Sequence, residues 1–316
     1  MSAQQRLRLA AILNPAAGSD GEQLVAALAS CETADVQAVL TTAPGDAADI
    51  AYKQAVDAEP VDAVVSVGGD GTVFEVATGL WRAREAGVTT VPPLLVAPGG
   101  TGNSVYRGLW NDASWDTVVD CVTRGQAQKR ALDLARIEQN DHIVVLGSGS
   151  GLFAQTLVKA AELPGSGRQL LMDAALAAMA EHVPYQGRVV VDGKIVHEGG
   201  IVETIVGGFR YRGGLLNLVP QSVLDDGLLD VTVVTADADM NAFAHATMAG
   251  NVYDVPGIRW GRGEHVAVER VDGQPLLFEH DGEVMPRGGS SCDLRVLPAA
   301  LDVLVTPGTP AWFREG

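Results

Sequence analysis

The sequence predicts an α/β fold: a parallel-sheet domain over residues 1–130, then a β-sandwich-rich domain over 131–298. Three observations predict it. Short aliphatic runs alternate with helical spacing of apolar positions through the first 130 residues, the order that builds a parallel sheet covered by helices. Beyond residue 130 the runs shorten and Gly and Asp turns separate them, the texture of a sandwich. Glycine-bearing loops follow successive runs of the first part, where an open parallel sheet exposes its ligand-binding strand ends.

Each element has its own warrant. Residues 9–13, 36–40, 61–67 and 93–97 are short, rich in aliphatic residues and bounded by loops, and read as strands. Between them, 22–28, 46–58 and 73–84 place apolar residues at helical spacing. Ser114 suits the N-cap of a further helix to Arg124, with Gly125 as its stop. In the second part, 132–137 and 142–146 flank Gln139-Asn140-Asp141 as a hairpin. Residues 188–191 and 194–197 flank Asp192-Gly193, the pair favoured where both turn residues need positive φ, so a type I′ hairpin is expected. Further strands are expected at 201–206, 228–234, 266–270, 276–278 and 294–297, with helices at 152–162, 170–181 and 239–249. Residues 299–305 are apolar again.

Composition narrows the function. A chain of 316 residues with 47% hydrophobic content can fill two cores. A net charge of −17 leaves no basic stripe to neutralise nucleic-acid phosphates, and it opposes general adsorption to anionic membranes. Arg210 and Arg212 could form a local basic patch, although two solvated arginines are the simpler reading. Cys31, Cys121 and Cys292 lack metal-ligand spacing and read as reduced thiols. No apolar run reaches the roughly 20 residues that span a bilayer, and the run at 9–13 is too short for a signal peptide. The expectation is a cytoplasmic protein, with at most a peripheral place at the inner membrane face.

The loops carry the chemistry. Ser66-Val67-Gly68-Gly69-Asp70-Gly71-Thr72 lies between an apolar strand and a helix. Glycines admit oxygen atoms close to the backbone, and the N–H groups of a helix N-terminus attract phosphate. The loop has no Walker A lysine. It has Asp70 instead, and a carboxylate among phosphates is costly unless a metal or a substrate hydroxyl lies between them. Phosphoryl transfer is therefore favoured over passive binding. Pro98-Gly99-Gly100-Thr101-Gly102-Asn103 and Asn14-Pro15-Ala16-Ala17-Gly18 follow two other strands. Each alone marks an ordinary turn; together, at three strand ends, they form a pattern.

These motifs, in this order, resemble the diacylglycerol kinase and sphingosine kinase catalytic family, with the bacterial soluble lipid kinases as the nearest type. The resemblance continues through Gly207-Gly208, Asp225-Asp226-Gly227 and Asp281-Gly282-Glu283, and so spans nearly the whole chain. GGDGT alone is shared with NAD kinases, whose two-domain architecture is similar. The resemblance implies that the tail at about 299–316 packs back on the first domain. It implies ATP as phosphate donor, Mg2+, and a lipid acceptor met transiently at a membrane surface.

Residue by residue, the resemblance implies nucleotide contacts at Asn14, Pro15, Gly18, Thr41, Gly68, Gly69, Asp70, Gly71, Thr72, Glu75, Thr101 and Asn103. It gives Glu283 the role of proton acceptor, with Asp281 beside it and Asp70 as a further catalytic candidate. It places structural magnesium on Asp226 and the carbonyls of Val223 and Leu228. Local sequence alone would read Thr41 as a capping residue, Asp226 as a charged turn and Asp281-Gly282 as a hairpin turn like Asp192-Gly193. Asp133, inside the apolar stretch 131–137, is either a solvent-facing strand position or part of an acidic network near the metal. One departure stands out: Ser104 follows Asn103 where many family members carry an aspartate. Arg107 remains, to support phosphates or to pair on a helix. Two other readings stand beside the lipid kinase: phosphorylation of a soluble nucleotide, as in NAD kinases, and a catalytically weak nucleotide-binding regulator. A homodimer is a further expectation.

Overall fold

The computed structural model describes residues 6–286, 288–308 and 312–314. Its elements in chain order are β1 (Leu7–Leu13), α1 (Gly18–Ala29), β2 (Ala34–Leu40), α2 (Asp46–Val56), β3 (Ala63–Gly68), α3 (Asp70–Glu85), β4 (Leu94–Pro98), α4 (Ser104–Trp110) and α5 (Trp115–Thr123). Then come β5 (Gln128–Ile137), β6 (Ile143–Val144), β7 (Ser148–Gly151), α6 (Leu152–Glu162), α7 (Gly167–Glu181), β8 (Tyr185–Val191), β9 (Lys194–Gly207), β10 (Tyr211–Arg212), β11 (Leu216–Asn217) and β12 (Leu229–Thr235). The chain closes with α8 (Met240–Ala249), β13 (Ile258–Gly263), β14 (His265–Arg270), β15 (Phe278–His280), β16 (Glu283–Val284) and β17 (Ser291–Val305). It divides into two compact units: residues 1–132 with 299–316, and residues 133–298.

In the first unit, parallel ladders order the strands β4-β3-β1-β2. The chain forms β2 on one side of β1, then crosses to build β3 and β4 on the other. The end of β1 beside β3 is therefore a topological switch point, where the crevice of an open sheet opens. β3 is buried along its whole length because helices cover both faces of the sheet. α2 turns an alanine face (Ala47, Ala48, Ala51, Ala55) inward. A Cβ on Gly79 of α3 would lie 2.1 Å from the Ala48 carbonyl oxygen, so only glycine lets these two helices approach so closely. The tail returns here. Val303 pairs in parallel with Leu94, and Leu301, Val303 and Val305 are buried.

The second unit is antiparallel. β9 is its longest ladder, pairing with β8, β7 and β12. Asp192 and Gly193 both adopt positive φ, 46° and 75°, in the turn between β8 and β9, as their sequence demands. Two apolar clusters fill this sandwich-like unit, one around Val189, Ile201, Val231, Val268 and Leu294, the other around Ile205, Leu218, Phe243 and Ile258. β7 and β13 go beyond the sequence expectation, and 294–297 is part of one continuous strand through Pro298. Among the described residues no helix is long and apolar enough to cross a membrane.

Candidate active site

The first unit brings three loops to one end of its sheet. After β1, Asn14 donates from Nδ2 to Thr72 Oγ1 at 3.1 Å and accepts at Oδ1 from the Ala16 amide at 2.9 Å, tying the NPAAG loop to the GGDGT loop. Gly18 opens α1. After β3, Gly69 is the extended residue before α3, a 16-residue helix whose N-terminus has no side-chain cap. An uncapped helix start retains its orphan amides and the positive end of its dipole, the elements of an anion site.

The GGDGT and PGGTGN loops touch through their backbones. A Cβ on Gly100 would lie 2.2 Å from Gly69 Cα, and one on Gly99 would lie 2.9 Å from Gly68 N. Gly68 itself is pressed by Thr72 Oγ1, 2.3 Å from where a Cβ would sit. Asn103, at φ 49°, folds its amide back on the loop: Oδ1 accepts from Gly100 N at 2.9 Å, and Nδ2 donates to Gly100 O at 2.8 Å. Gly71, by contrast, is exposed, with no atom within 4 Å of an added Cβ. These glycines divide into those that packing requires and one that faces open space.

Two acidic residues of this unit act on helix starts. Asp70 accepts from the amides of Ser104 and Val105, both at 3.1 Å, and so holds the first turn of α4. Ser104 is fully buried there. Glu75 accepts from the Ala47 amide at 3.2 Å, at the start of α2. Thr41 is buried, its amide bonded to the Leu13 carbonyl at 3.0 Å. Arg107 pairs with Asp112 at 2.7 Å.

In the second unit, Asp281 and Gly282 form the two-residue turn between β15 and β16, with φ of 50° and 87°. That turn repeats the geometry of Asp192-Gly193, but its setting differs. Asp281 is buried and accepts from the amides of Val145 (3.1 Å) and Leu146 (2.6 Å). His280 Nδ1 lies 3.4 Å from Asp281 Oδ2, and His280 Nε2 lies 3.4 Å from His142 Nδ1. Burial opposes a charge on His280, yet the hydrogen bond and negative charge of Asp281, with Glu279 and Glu283 nearby, outweigh it and leave its pKa raised. Glu279 accepts from the Gly282 amide at 3.2 Å. Burial pushes its carboxyl up to about 7 against the attraction of Arg212. Glu203 is likewise buried and pushed well above the carboxylate range, although the Phe153 amide donates to it at 2.6 Å. Glu283 stands exposed on β16.

The expected magnesium loop is ordered by the protein itself. Asp133 accepts from the Gly227 amide at 2.6 Å and donates its own amide to the Leu224 carbonyl at 2.8 Å. Asp226 accepts from the Leu228 amide at 3.0 Å, and Arg262 Nη1 lies 3.6 Å from its carboxylate. A water-sized cavity of about 10 Å³ is lined by Asp133, Val223, Leu224 and Leu228. Carboxylates and peptide carbonyls fit a hard cation such as Mg2+, so the donor set present suits that ion.

Residues 8–137 match the diacylglycerol kinase catalytic domain, and residues 145–305 match the YegS C-terminal NAD kinase beta sandwich-like domain. The chain belongs to this lipid-kinase family. Lipid kinase YegS of Escherichia coli K12 is 26% identical over 254 residues, covering 79% of this chain and 80% of that protein. The crystal structure of a diacylglycerol kinase from Bacillus anthracis (strain Sterne) superposes with a TM-score of 0.69 at 21% identity, covering 96% of this chain and 98% of that one. That likeness speaks for the fold. Family membership makes the chain an ATP-dependent kinase of the diacylglycerol kinase superfamily.

Set against the family motifs, Asn14, Gly68, Gly69, Asp70, Thr72 and Asn103 lie in one set of interlocked loops. Glu75 is bonded to the start of α2 instead. The sequence reading passes over Glu203, Glu279 and His280. The available signal was the one used for Asp133: an ionisable residue inside an apolar strand, as in Ile201–Val206 around Glu203.

Proposed function

We propose that this kinase transfers the γ-phosphate of ATP to the hydroxyl of diacylglycerol or a related lipid or sphingoid base. The observation that carries the nucleotide half is the uncapped N-terminus of α3, flanked by glycine loops pressed together at the switch point of the sheet. Asn14, Pro15, Gly18, Thr41, Gly68, Gly69, Gly71, Thr72 and Thr101 form or support the phosphate and nucleotide cradle. Asp70 and Asn103 shape it by fixing the α4 loop, and Glu75 steadies it from α2. Mg2+ bound to ATP would neutralise the transferring phosphate, the main electrostatic demand of this chemistry. A second, structural Mg2+ would be held by Asp226 with the carbonyls of Val223 and Leu228, in a loop that Asp133 orders.

Glu283 accepts the proton of the attacking hydroxyl. Its exposure on β16 leaves it accessible to an acceptor hydroxyl, whereas the Asp281 carboxylate is committed to two backbone amides and holds the turn. The lipid meets the protein transiently at the membrane surface, and the protein is cytoplasmic. The test is phosphorylation from labelled ATP across a panel of diacylglycerols, monoacylglycerols and sphingoid bases in detergent, with NAD in parallel. Labelled lipid product is expected. Phosphorylated NAD without lipid product would replace the lipid reading, and ATP binding without turnover on any acceptor would leave a regulator.

A further inference from the structure

Apart from the loops and turns described so far, the turn after β5 and two strands, β14 and β17, bring together a different cluster. Glu138, just after β5, His265 at the start of β14 and Asp293 on β17 offer ligand atoms that all lie within 4.8 Å of one another. His265 Nε2 is 3.3 Å from Asp293 Oδ1 and 3.9 Å from Glu138 Oε2. It is shielded from solvent, yet it makes a well-aligned hydrogen bond to neither oxygen. Its position suits a ring nitrogen aimed between two carboxylates rather than at one of them.

The rest of the cluster is fixed from outside. The second oxygen of Asp293 accepts from Gln139 Nε2 at 2.7 Å, while Gln139 Oε1 accepts from the Asp293 amide at 3.0 Å. The second oxygen of Glu138 accepts from Arg295 Nε at 2.8 Å. The His265 amide donates to Asp192 at 2.9 Å, and its carbonyl accepts from the Asp192 amide at 3.0 Å, so the ring starts from a fixed backbone. Each carboxylate thus has one oxygen tethered and the other turned toward the imidazole. Neighbouring donors orient metal ligands in this way.

We propose that Glu138, His265 and Asp293 form a structural site for a borderline divalent cation, with Zn2+ as the fitting ion. One imidazole with two carboxylates is a zinc-type donor set, whereas Mg2+ and Ca2+ prefer oxygen alone. With bonds of roughly 2.0–2.1 Å, neighbouring ligands of a tetrahedral ion lie about 3.3 Å apart. The His265–Asp293 separation already has that value, and Glu138, 3.9 Å from the imidazole nitrogen, must move in to complete the set. Water completes the fourth position. The ion would clip the turn after β5 to β14 and β17, and its ligands are distinct from those of the proposed magnesium loop at Asp226.

The test uses the full chain after chelator treatment, titrated with Zn2+ by calorimetry near neutral pH, without nucleotide and with excess Mg2+ present. One zinc per chain is expected, together with a rise in Tm. His265→Gln and Asp293→Asn should abolish both effects. Gln139→Leu, which leaves the ligands in place, should weaken zinc binding about 10-fold or more, as loss of an orienting partner does. Zinc binding unchanged in His265→Gln, no zinc heat in the parent protein, or displacement of zinc by equimolar Mg2+ would each overturn the site. If His265→Gln fails to fold, the Gln139→Leu titration decides: an unaltered affinity there also overturns it.

Discussion

A single side chain of β15, Glu279, sets a pH dependence that can be worked out from its sign. Burial raises Glu279 from an ordinary carboxylate to about 7. A group with a raised folded pKa contributes stability that is complete below its unfolded value and is lost as pH rises through the folded one. Glu279 therefore favours the folded state most below about 4.5 and progressively less toward and beyond 7. A shift of that size corresponds to about 3 kcal/mol. Glu279→Gln retains an oxygen for the Gly282 amide and removes the titration. Its unfolding free energy should fall less between pH 4.5 and 8 than that of the parent, by about 3 kcal/mol. Parallel stability curves for the two proteins would discard Glu279 as the source. Glu283→Gln tests the proposed base. Because Glu283 is exposed and remote in sequence from the loops around α3, turnover should fall about 10²-fold or more while ATP affinity measured by calorimetry holds. Normal turnover in this variant, with Asp70→Asn inactive, would move the base to Asp70.

Elements show which parts of the fold could be read from residues alone. β1 to β4 and their helices carry apolar periodicity, so the parallel sheet and its loop positions were legible. α4 was not, because its start is fixed by a distant carboxylate, Asp70, that no local pattern reveals. β7 reads Ser148-Gly149-Ser150-Gly151, a string that suggests a linker. The structure uses it as a strand because a Cβ on Gly149 or Gly151 would lie 2.4 Å or 2.2 Å from a β9 carbonyl oxygen. The same kind of contact separates two glycines at the loops after β3 and β4. Gly100→Ala forces the GGDGT and PGGTGN backbones apart and should cost about 1–3 kcal/mol in chemical denaturation. Gly69→Val meets Gly100 Cα only at 3.4 Å, so this protein should fold and yet lose ATP affinity. Unchanged ATP binding in folded Gly69→Val would dismiss the cradle. At the Asp225-Asp226-Gly227 turn, Asp226→Ala should remove any magnesium-dependent rise in Tm. A variant whose melting still responds to magnesium like the parent would place that ion elsewhere.

The whole molecule is organised by a chain that leaves its first unit at residue 132 and re-enters it at 299. β17 serves both units: its first part pairs with β14 and Val303 pairs with Leu94 of β4. The Thr306 amide reaches the Leu109 carbonyl, and the Arg130 guanidinium lies 5.1 Å over the Phe313 ring. The sequence suggested a returning tail through its resemblance alone; its apolar pattern could not say which sheet it would join. Removing residues 299–316 strips the partner from β4 and takes away the buried side chains of Leu301, Val303 and Val305. Truncation should therefore lower stability by several kcal/mol, the scale of multiple buried aliphatic side chains, and abolish ATP binding even though no residue of the proposed cradle is removed. A truncated protein that binds ATP normally would refute that dependence. The same path bears on synthesis. Domains ordinarily fold in the order in which they emerge from the ribosome, but the unit that begins this chain cannot close its sheet until residue 305 has been translated. Throughout that interval β4 presents an unpaired edge, the kind of surface that recruits a wrong strand. Slow translation after residue 132 should thus raise aggregation of the nascent protein, a vulnerability imposed by chain order alone.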